Sequence, residues 1–266
     1  SQMKKLLLFC LINTILINLN AQDLLIKGGF YFDTYEKAMV KNDGILIISG
    51  KISSIGKVRD TVNIAAINLE DSDFILPGIV DMHAHYKVNV DGKEKTDTIS
   101  LPKIYLANGV TSTFTAGELE PEKILALKKE INQSEKQGPR IFNTGPYFGI
   151  DANSTNKYWK EDYNQNEIEA LVDTWAAKGV AGIKVKGVNK FQLKIIIQRA
   201  HQHGLTVTGH LNSGLNGTVN SDDAIDMGID RVEHFLGGSI LTDSISAYKA
   251  LATANPYDSR LDNIIN

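Results

Sequence analysis

Two histidines two residues apart, His83 and His85, close the stretch Phe74-Ile-Leu-Pro-Gly-Ile-Val-Asp-Met-His-Ala-His-Tyr86. The stretch reads as a buried strand. Side chains alternate faces along a strand, so residues two apart point the same way. His-x-His at a strand end therefore aims two imidazoles at one point, which is a means of holding a metal ion. Taken alone, the triplet fits partly buried polar residues at a loop edge equally well. The metal reading needs further donors at matching places in the chain.

Those donors are present. Lys184 and Lys186 lie in Gly182-Ile-Lys-Val-Lys, His210 ends Val207-Thr-Gly-His, and His234 ends Asp230-Arg-Val-Glu-His. From Lys184 to His210 is 26 residues, and from His210 to His234 is 24. That is about one βα unit of a barrel, in which ~250 residues make eight units. Each interval thus advances one strand, and residues scattered in sequence converge on one mouth. A lysine on a barrel strand is costly to bury unless it is paired or neutralised. It can pair with a carboxylate, or react with carbon dioxide to give a carbamate, an oxygen ligand able to bridge two metals. Lys184 and Lys186 share a face by periodicity, so the residues alone leave both open for that role. His201 and His203, near the end of a helix, are explained by the helix dipole. Trp159 and Trp175 read as packing residues, and Glu233 as a residue that faces a neighbouring layer or pairs locally. Tyr86 and Tyr147 lie near strand ends, within reach of a substrate.

The elements that must position these residues fall into two styles. Residues 22–73 read as a small β domain, with Leu24-Leu-Ile-Lys ending at Gly28-Gly29 and a hairpin turning at Ser49-Gly50. Residues 74–266 alternate strand and helix. Helices are expected at Ile99–Ala107, from Pro121, and from Asn166, which caps with Glu169 three residues on. Further helices carry Leu193, Ile196, Ile197 and Ala200, are capped by Ser221, and include Ile245, Tyr248 and Leu251. Strands are expected at Val110–Thr115, Arg140–Thr144, Val180–Lys186, Leu205–Leu211 and Ile229–Phe235. Repeated strand–helix units predict a parallel sheet with helices outside. No glycine fingerprint follows the first strand, which argues against an open nucleotide-binding sheet. Histidines at successive strand ends favour a (β/α)8 TIM-type barrel, incomplete with about six βα units present.

The 266 residues are 42% hydrophobic, enough for one large core with a small companion. A net charge of -3 gives no nucleic-acid footprint. Lys4-Lys5, the apolar run Leu6–Ile17 and Ala21 read as a signal peptide over 1–21, cleaved near Ala21. The protein is then expected to be secreted or periplasmic, without a stable membrane span after cleavage. The single cysteine, Cys10, lies in that segment, so the mature chain is expected to have no disulfide.

Leu76-Pro-Gly-Ile-Val-Asp-Met-His-Ala-His resembles the opening signature of the amidohydrolase superfamily. Asn108-Gly-Val-Thr-Ser-Thr, Gly138-Pro-Arg-Ile-Phe-Asn-Thr-Gly-Pro, Gly182-Ile-Lys-Val, Val207-Thr-Gly-His and Asp230-Arg-Val-Glu-His match in order. The likeness is greatest to imidazolonepropionase-like and Xaa-Pro-dipeptidase-like members and covers residues 23 to about 240. It implies a small β-sandwich domain before the barrel. It implies two divalent ions, expected to be zinc, with His83 and His85 on one, His210 and His234 on the other, and carbamylated Lys184 between them, Lys186 being the fallback. Such a pair makes hydroxide from water at neutral pH and polarises the carbonyl under attack. The implied reaction is hydrolysis of C–N bonds in an amide, peptide or cyclic amide, with a small-molecule or dipeptide substrate. A homo-oligomer is compatible with the resemblance. The family's proton-transferring aspartate ends an eighth strand, expected beyond Asn266, and Asp81 lies on the wrong strand to replace it. The residues as given are therefore expected to be an inactive N-terminal piece. The alternatives are a mononuclear deaminase-like enzyme and a vestigial or binding barrel without catalysis.

Overall fold

The structure is a computed structural model that describes residues 23–58, 64–149, 156–211 and 217–234. The expected signal peptide, the helix around Ile245–Leu251 and the end of the strand at Phe235 lie outside the described residues. The chain divides into two compact units, Ser1–Pro77 and Gly78–Asn266.

The first unit is built on β1 (Leu24–Asp33), which runs through the glycine pair expected to end it. Gly28 and Gly29 have φ of 79° and 65°. That left-handed backbone suits glycine and makes a bulge, the register slipping between Gly28 and Phe30. On one edge, β1 pairs antiparallel with β2 (Ala38–Lys41) and β3 (Ile45–Ile48). On its other edge it pairs parallel with β5 (Ala65–Ile75). β3 and β4 (Lys51–Ile55) form the hairpin expected at Ser49-Gly50. Asn42 is buried here, its Nδ2 donating to the carbonyls of Ile26 and Gly28 at 3.1 and 2.9 Å. Among the described residues the unit is one five-stranded sheet.

The stretch Phe74–Tyr86, expected as one buried strand, is not single, and only Ala84 and Tyr86 of it are buried. Phe74 and Ile75 finish β5, and Pro77, lacking an N–H, breaks the ladder. A new strand, β6 (Ile79–Ala84), then starts in the second unit. Ile79, Val80 and Met82 are 56%, 54% and 46% exposed, because β6 pairs only with the next barrel strand and has no partner on its other edge among the described residues. A polar hairpin follows, β7 (Lys87–Val90) and β8 (Lys93–Thr96), which no sequence expectation included.

The second unit then alternates as expected. Its helices are α1 (Leu101–Ala107), α2 (Pro121–Asn132), α3 (Gln165–Ala177), α4 (Lys190–Gln202) and α5 (Ser221–Asp226). Its strands are β9 (Val110–Thr115), β10 (Arg140–Phe142), β11 (Tyr147–Phe148), β12 (Gly182–Lys186), β13 (Thr206–His210) and β14 (Arg231–Val232). All pair parallel, in the orders β6-β9-β10 and β11-β12-β13-β14. β10 and β11 are successive pieces of one expected strand, the first held by β9 and the second by β12. Between them the ladder thins to single backbone bonds, Ala181 N–H to the Asn143 carbonyl at 2.7 Å and Glu118 N–H to the Gly145 carbonyl at 3.1 Å, and side chains add to it. Thr144 N–H donates to Thr115 Oγ1 at 2.9 Å and Gly117 N–H to Thr144 Oγ1 at 3.1 Å.

The cap of α3 lies two residues before the expected one. Asn164 and Asn166 both have a glutamate three residues on, so the sequence holds two overlapping capping boxes. The earlier one forms, with Glu167 N–H donating to Asn164 and Asn164 N–H to Glu167. α5 is likewise capped by Asn220 rather than Ser221. Ile168, Val172 and Trp175 of α3 and Leu193, Ile196 and Ile197 of α4 bury against Ile183, Val185 and Val207 of the sheet. This core holds β12 and β13 rigidly, and with them the candidate site. No helix among the described residues is long and apolar enough to cross a membrane.

Candidate metal centre

His83 lies at the end of β6 and His85 just past it, their ring centroids 5.0 Å apart. His234, just past β14, lies 4.6 Å from His83 and 5.0 Å from His210, the last residue of β13. The four imidazoles expected to be ligands thus form a continuous chain of neighbours, although His83 and His234 are 151 positions apart in sequence. Lys184 is the central residue of β12, paired in register with Thr208, and is 1% exposed. Its Nζ has no hydrogen-bond partner and lies 3.6 Å from Glu233 Oε1. Burial, only partly offset by that carboxylate, draws the Lys184 ammonium down to about 8. Lys186, two residues on in the same strand, ends β12, with its Nζ 5.7 Å from the ring of Tyr147.

Glu233, expected to face a neighbouring layer or pair locally, does pair with Arg231 but is also more central than that reading made it. It is 5% exposed and central: His83 Nδ1 meets its Oε2, Thr208 donates to its Oε1, and Arg231 Nε donates to Oε1 at 3.1 Å. Burial would raise its carboxyl, but His83, Lys184, Thr208 and Arg231 together outweigh burial and hold it far below the usual range. Strand alternation would send Glu233 and His234 to opposite faces. The chain escapes that rule because β14 stops at Val232 and His234 takes the left-handed conformation, φ 56°. A non-glycine residue there is uncommon, and here it lets consecutive side chains reach one site.

At His85 and His234 the electrostatics favour the neutral imidazole, the form that binds metal. Burial first, then Lys87, His83 and Lys184, lower His85 to about 4. Burial and His83 also lower His234. A carboxylate on His83 Nδ1 keeps the ring proton on that nitrogen and leaves Nε2 as the donor, the usual supporting role of a carboxylate behind a metal-binding histidine. Among the described residues no three His, Cys, Asp or Glu side chains already converge as a finished cage. The donor set nonetheless fits a divalent ion: the rings are adjacent, and the buried His85 Nδ1 and Lys184 Nζ have no hydrogen-bond partner among the described residues.

The remaining sequence-marked residues take structural places. His201 and His203 meet Asp230 and Asp173 at 2.9 and 2.7 Å at the outer end of α4. Trp159 and Trp175 are buried in the core. Tyr86 is buried, its hydroxyl 2.9 Å from Thr113 Oγ1, whereas Tyr147 lines a cavity of about 450 Å³.

A model of the amidohydrolase family matches residues 74–255. An adenine deaminase from Chelativorans sp. (strain BNC1) is 24% identical over 222 residues, 77% of this chain and 36% of that protein. A structure titled as a putative prolidase from Bifidobacterium longum aligns with TM-score 0.67 at 19% identity, covering 84% of this chain and 56% of that one. A structure titled as a Xaa-Pro dipeptidase with bound methionine in the active site gives TM-score 0.64 at 22% identity, over 80% of this chain and 61% of that one. The likeness to these structures establishes a TIM-barrel-like α/β fold. The chain spans between a third and two thirds of the length of these relatives.

Proposed function

We propose, from the premise that this chain belongs to the amidohydrolase family, that the protein hydrolyses C–N bonds of amides, peptides or cyclic amides. Its ions would be held by His83, His85, His210, His234 and Lys184, with zinc the metal suited to such nitrogen-rich sites. The observation that carries this reading is Lys184. A buried amine with no hydrogen bond, beside four clustered imidazoles, is costly in a protein without a use for it.

A bound divalent ion supplies Lewis acidity, which acidifies water and polarises a carbonyl. The chain's own residues do the rest. His83 is oriented by Glu233, and Thr208 and Arg231 hold Glu233 in turn. Lys184, drawn down to about 8 by burial, has its amine free to attack carbon dioxide. The ammonium first gives one proton to solvent; the new N–C bond then forms as a C=O π bond of carbon dioxide opens, and the nitrogen releases a second proton to leave a carbamate. Residues 1–21 in this reading are a signal peptide that sends the protein to the periplasm or outside. The five-stranded unit is part of a β-sandwich, and the parallel arc is part of a closed barrel.

The adenine deaminase likeness favours a second reading, a single-metal deaminase that needs no carbamate. Metal analysis after zinc loading separates the two. The binuclear hydrolase retains about two equivalents per chain, and Lys184→Ala retains one or none. The deaminase type retains one in both proteins. A chain that retains none overturns both readings.

A further inference from the structure

The β7–β8 hairpin belongs to neither parallel sheet and forms a two-stranded sheet of its own. Its root is fixed. Asp97 N–H donates to the Tyr86 carbonyl at 2.9 Å, and the Asp97 carboxylate accepts from the N–H groups of Ile99 and Ser100 at 2.8 and 2.7 Å. Tyr86 is itself buried and held by Thr113, and the Thr96 hydroxyl meets the Glu120 carboxylate. Past this root the support ends, and every residue from Asn89 to Lys95 is exposed. A two-stranded hairpin with no sheet behind it is marginally stable in water. The outer half is therefore an arm on a fixed hinge, drawn from the low-stability end of the fold.

The register sets Lys87 opposite Thr96 and Asn89 opposite Glu94, and strand alternation puts these four side chains on one face. Lys87 and Glu94 of that face line the cavity of about 450 Å³, which has Tyr147 as an aromatic wall and is closed after β11 by Lys157. Glu94 crosses diagonally to Lys87 at 2.6 Å, a separation that long side chains span across a ladder. The Glu94 side chain is 50% exposed. An ion pair so open to water is weak, and another cation on the same cavity competes for the carboxylate. Lys157 is suited to that role: it is exposed, with its Nζ 4.9 Å from the ring of Tyr158. Lys186 lies instead over the ring of Tyr147. Glu118, the other carboxyl group of the cavity, is buried, and burial pushes it up to about 8. It is uncharged at neutral pH and does not rival Glu94 for Lys157.

We propose that the β7–β8 hairpin is a lid on this cavity and that Glu94 switches it by exchanging one lysine for another. Paired with Lys87, as in the structure, Glu94 stays within its own hairpin and the cavity is open. Paired with Lys157, it draws the hairpin across the mouth. The two arrangements trade one exposed ion pair for another, so they lie close in free energy and both are populated. A molecule in the cavity shifts the balance only by what it gains from touching the closed hairpin. The proposal goes beyond the hydrolase reading and does not depend on which bond is cleaved.

The test is a distance measurement by pulsed electron paramagnetic resonance on the full chain. Spin labels are placed at Lys93→Cys on the hairpin and at Lys160→Cys, three residues beyond Lys157, in a Cys10→Ser background that removes the only native cysteine. The arm from Lys87 to Val90 is about 10 Å long, so its swing is expected to give two populations about 5 Å apart. The two lysines should act in opposite directions. Lys87→Met removes the open partner and is expected to enlarge the shorter-distance population at least about twofold, and Lys157→Met to shrink it by a similar factor, the size of a weak exposed pair. One distance common to all three proteins overturns the proposal. So do two populations that neither substitution moves, or that both move the same way. If Lys87→Met fails to fold, Lys157→Met decides alone, since Lys157 is exposed.

Discussion

Glu233 shows how one side chain organises a site that its neighbours only populate. It touches a histidine of β6, a lysine of β12 and a threonine of β13, so three strands meet at one carboxylate. In Glu233→Gln the charge that holds the proton on His83 is gone. Zinc affinity is expected to fall roughly 10–100-fold, as when a supporting partner of a metal ligand is removed. A zinc titration that matches the unsubstituted protein would show that Glu233 does not orient His83. Glu118 makes a prediction in the opposite electrostatic direction. Its folded-state value of about 8 exceeds the ordinary 4.5. Its contribution to stability is therefore fully present below about 4.5 and is lost as pH rises through about 8. Glu118→Gln, which cannot ionise, should lack this loss. Urea midpoints of the two proteins should change differently between pH 5 and pH 8, with the variant gaining ground at pH 8. Parallel pH profiles would place the Glu118 carboxyl in a solvated setting. The four histidines and Lys184 were legible because residue type and strand-end spacing sufficed. Glu233 was not, since periodicity assigns it to the wrong face and only the left-handed backbone of His234 reverses that.

At the scale of elements, the helices were legible from apolar spacing, and their ends were less so. Two asparagines competed to cap α3. The structure chooses Asn164, with reciprocal bonds to Glu167, and leaves Asn166 exposed in the first turn. Asn164→Ala is expected to cost about 1 kcal/mol, whereas Asn166→Ala should stay within about 0.5 kcal/mol of the parent, as surface substitutions do. Chemical denaturation reads both, and the reverse order would return the cap to Asn166. The β7–β8 hairpin was missed because Lys87-Val-Asn-Val and Lys93-Glu-Lys-Thr bury little. The one signal for it was Asp91-Gly92, whose left-handed φ values of 53° and 75° suit a two-residue turn. The second strand of the expected barrel, β9, carries a different constraint at its exit. A Cβ on Gly117 would meet the Tyr147 ring at 2.4 Å, so this glycine preserves the aromatic wall of the cavity.

Over the whole molecule, the order of parallel strands was legible because each βα unit repeats a length and a pattern. The exposure of β6 was not. It depends on which neighbours a strand has, and the run Ile79-Val80 looks the same in sequence with one neighbour or two. The division of the third strand into β10 and β11 was equally hidden, since Asn143–Pro146 contains no signal beyond Gly145-Pro146, which also suits a strand end. That division has a consequence in time as well as in shape. Only single backbone bonds, Glu118 to Gly145 and Ala181 to Asn143, span the break, so the amides of β9 and β10 are expected to open separately from those of β11, β12 and β13. Native-state hydrogen exchange should therefore sort the arc into two blocks with separate opening free energies, the β12 block being slower because both α3 and α4 bury it. One common rate across the arc would mean that the threonine contacts at Thr115 and Thr144 weld the halves together. With two blocks, the histidines of β6 and the lysine of β12 ride on parts that breathe independently, and the site is only as long-lived as the faster of two clocks.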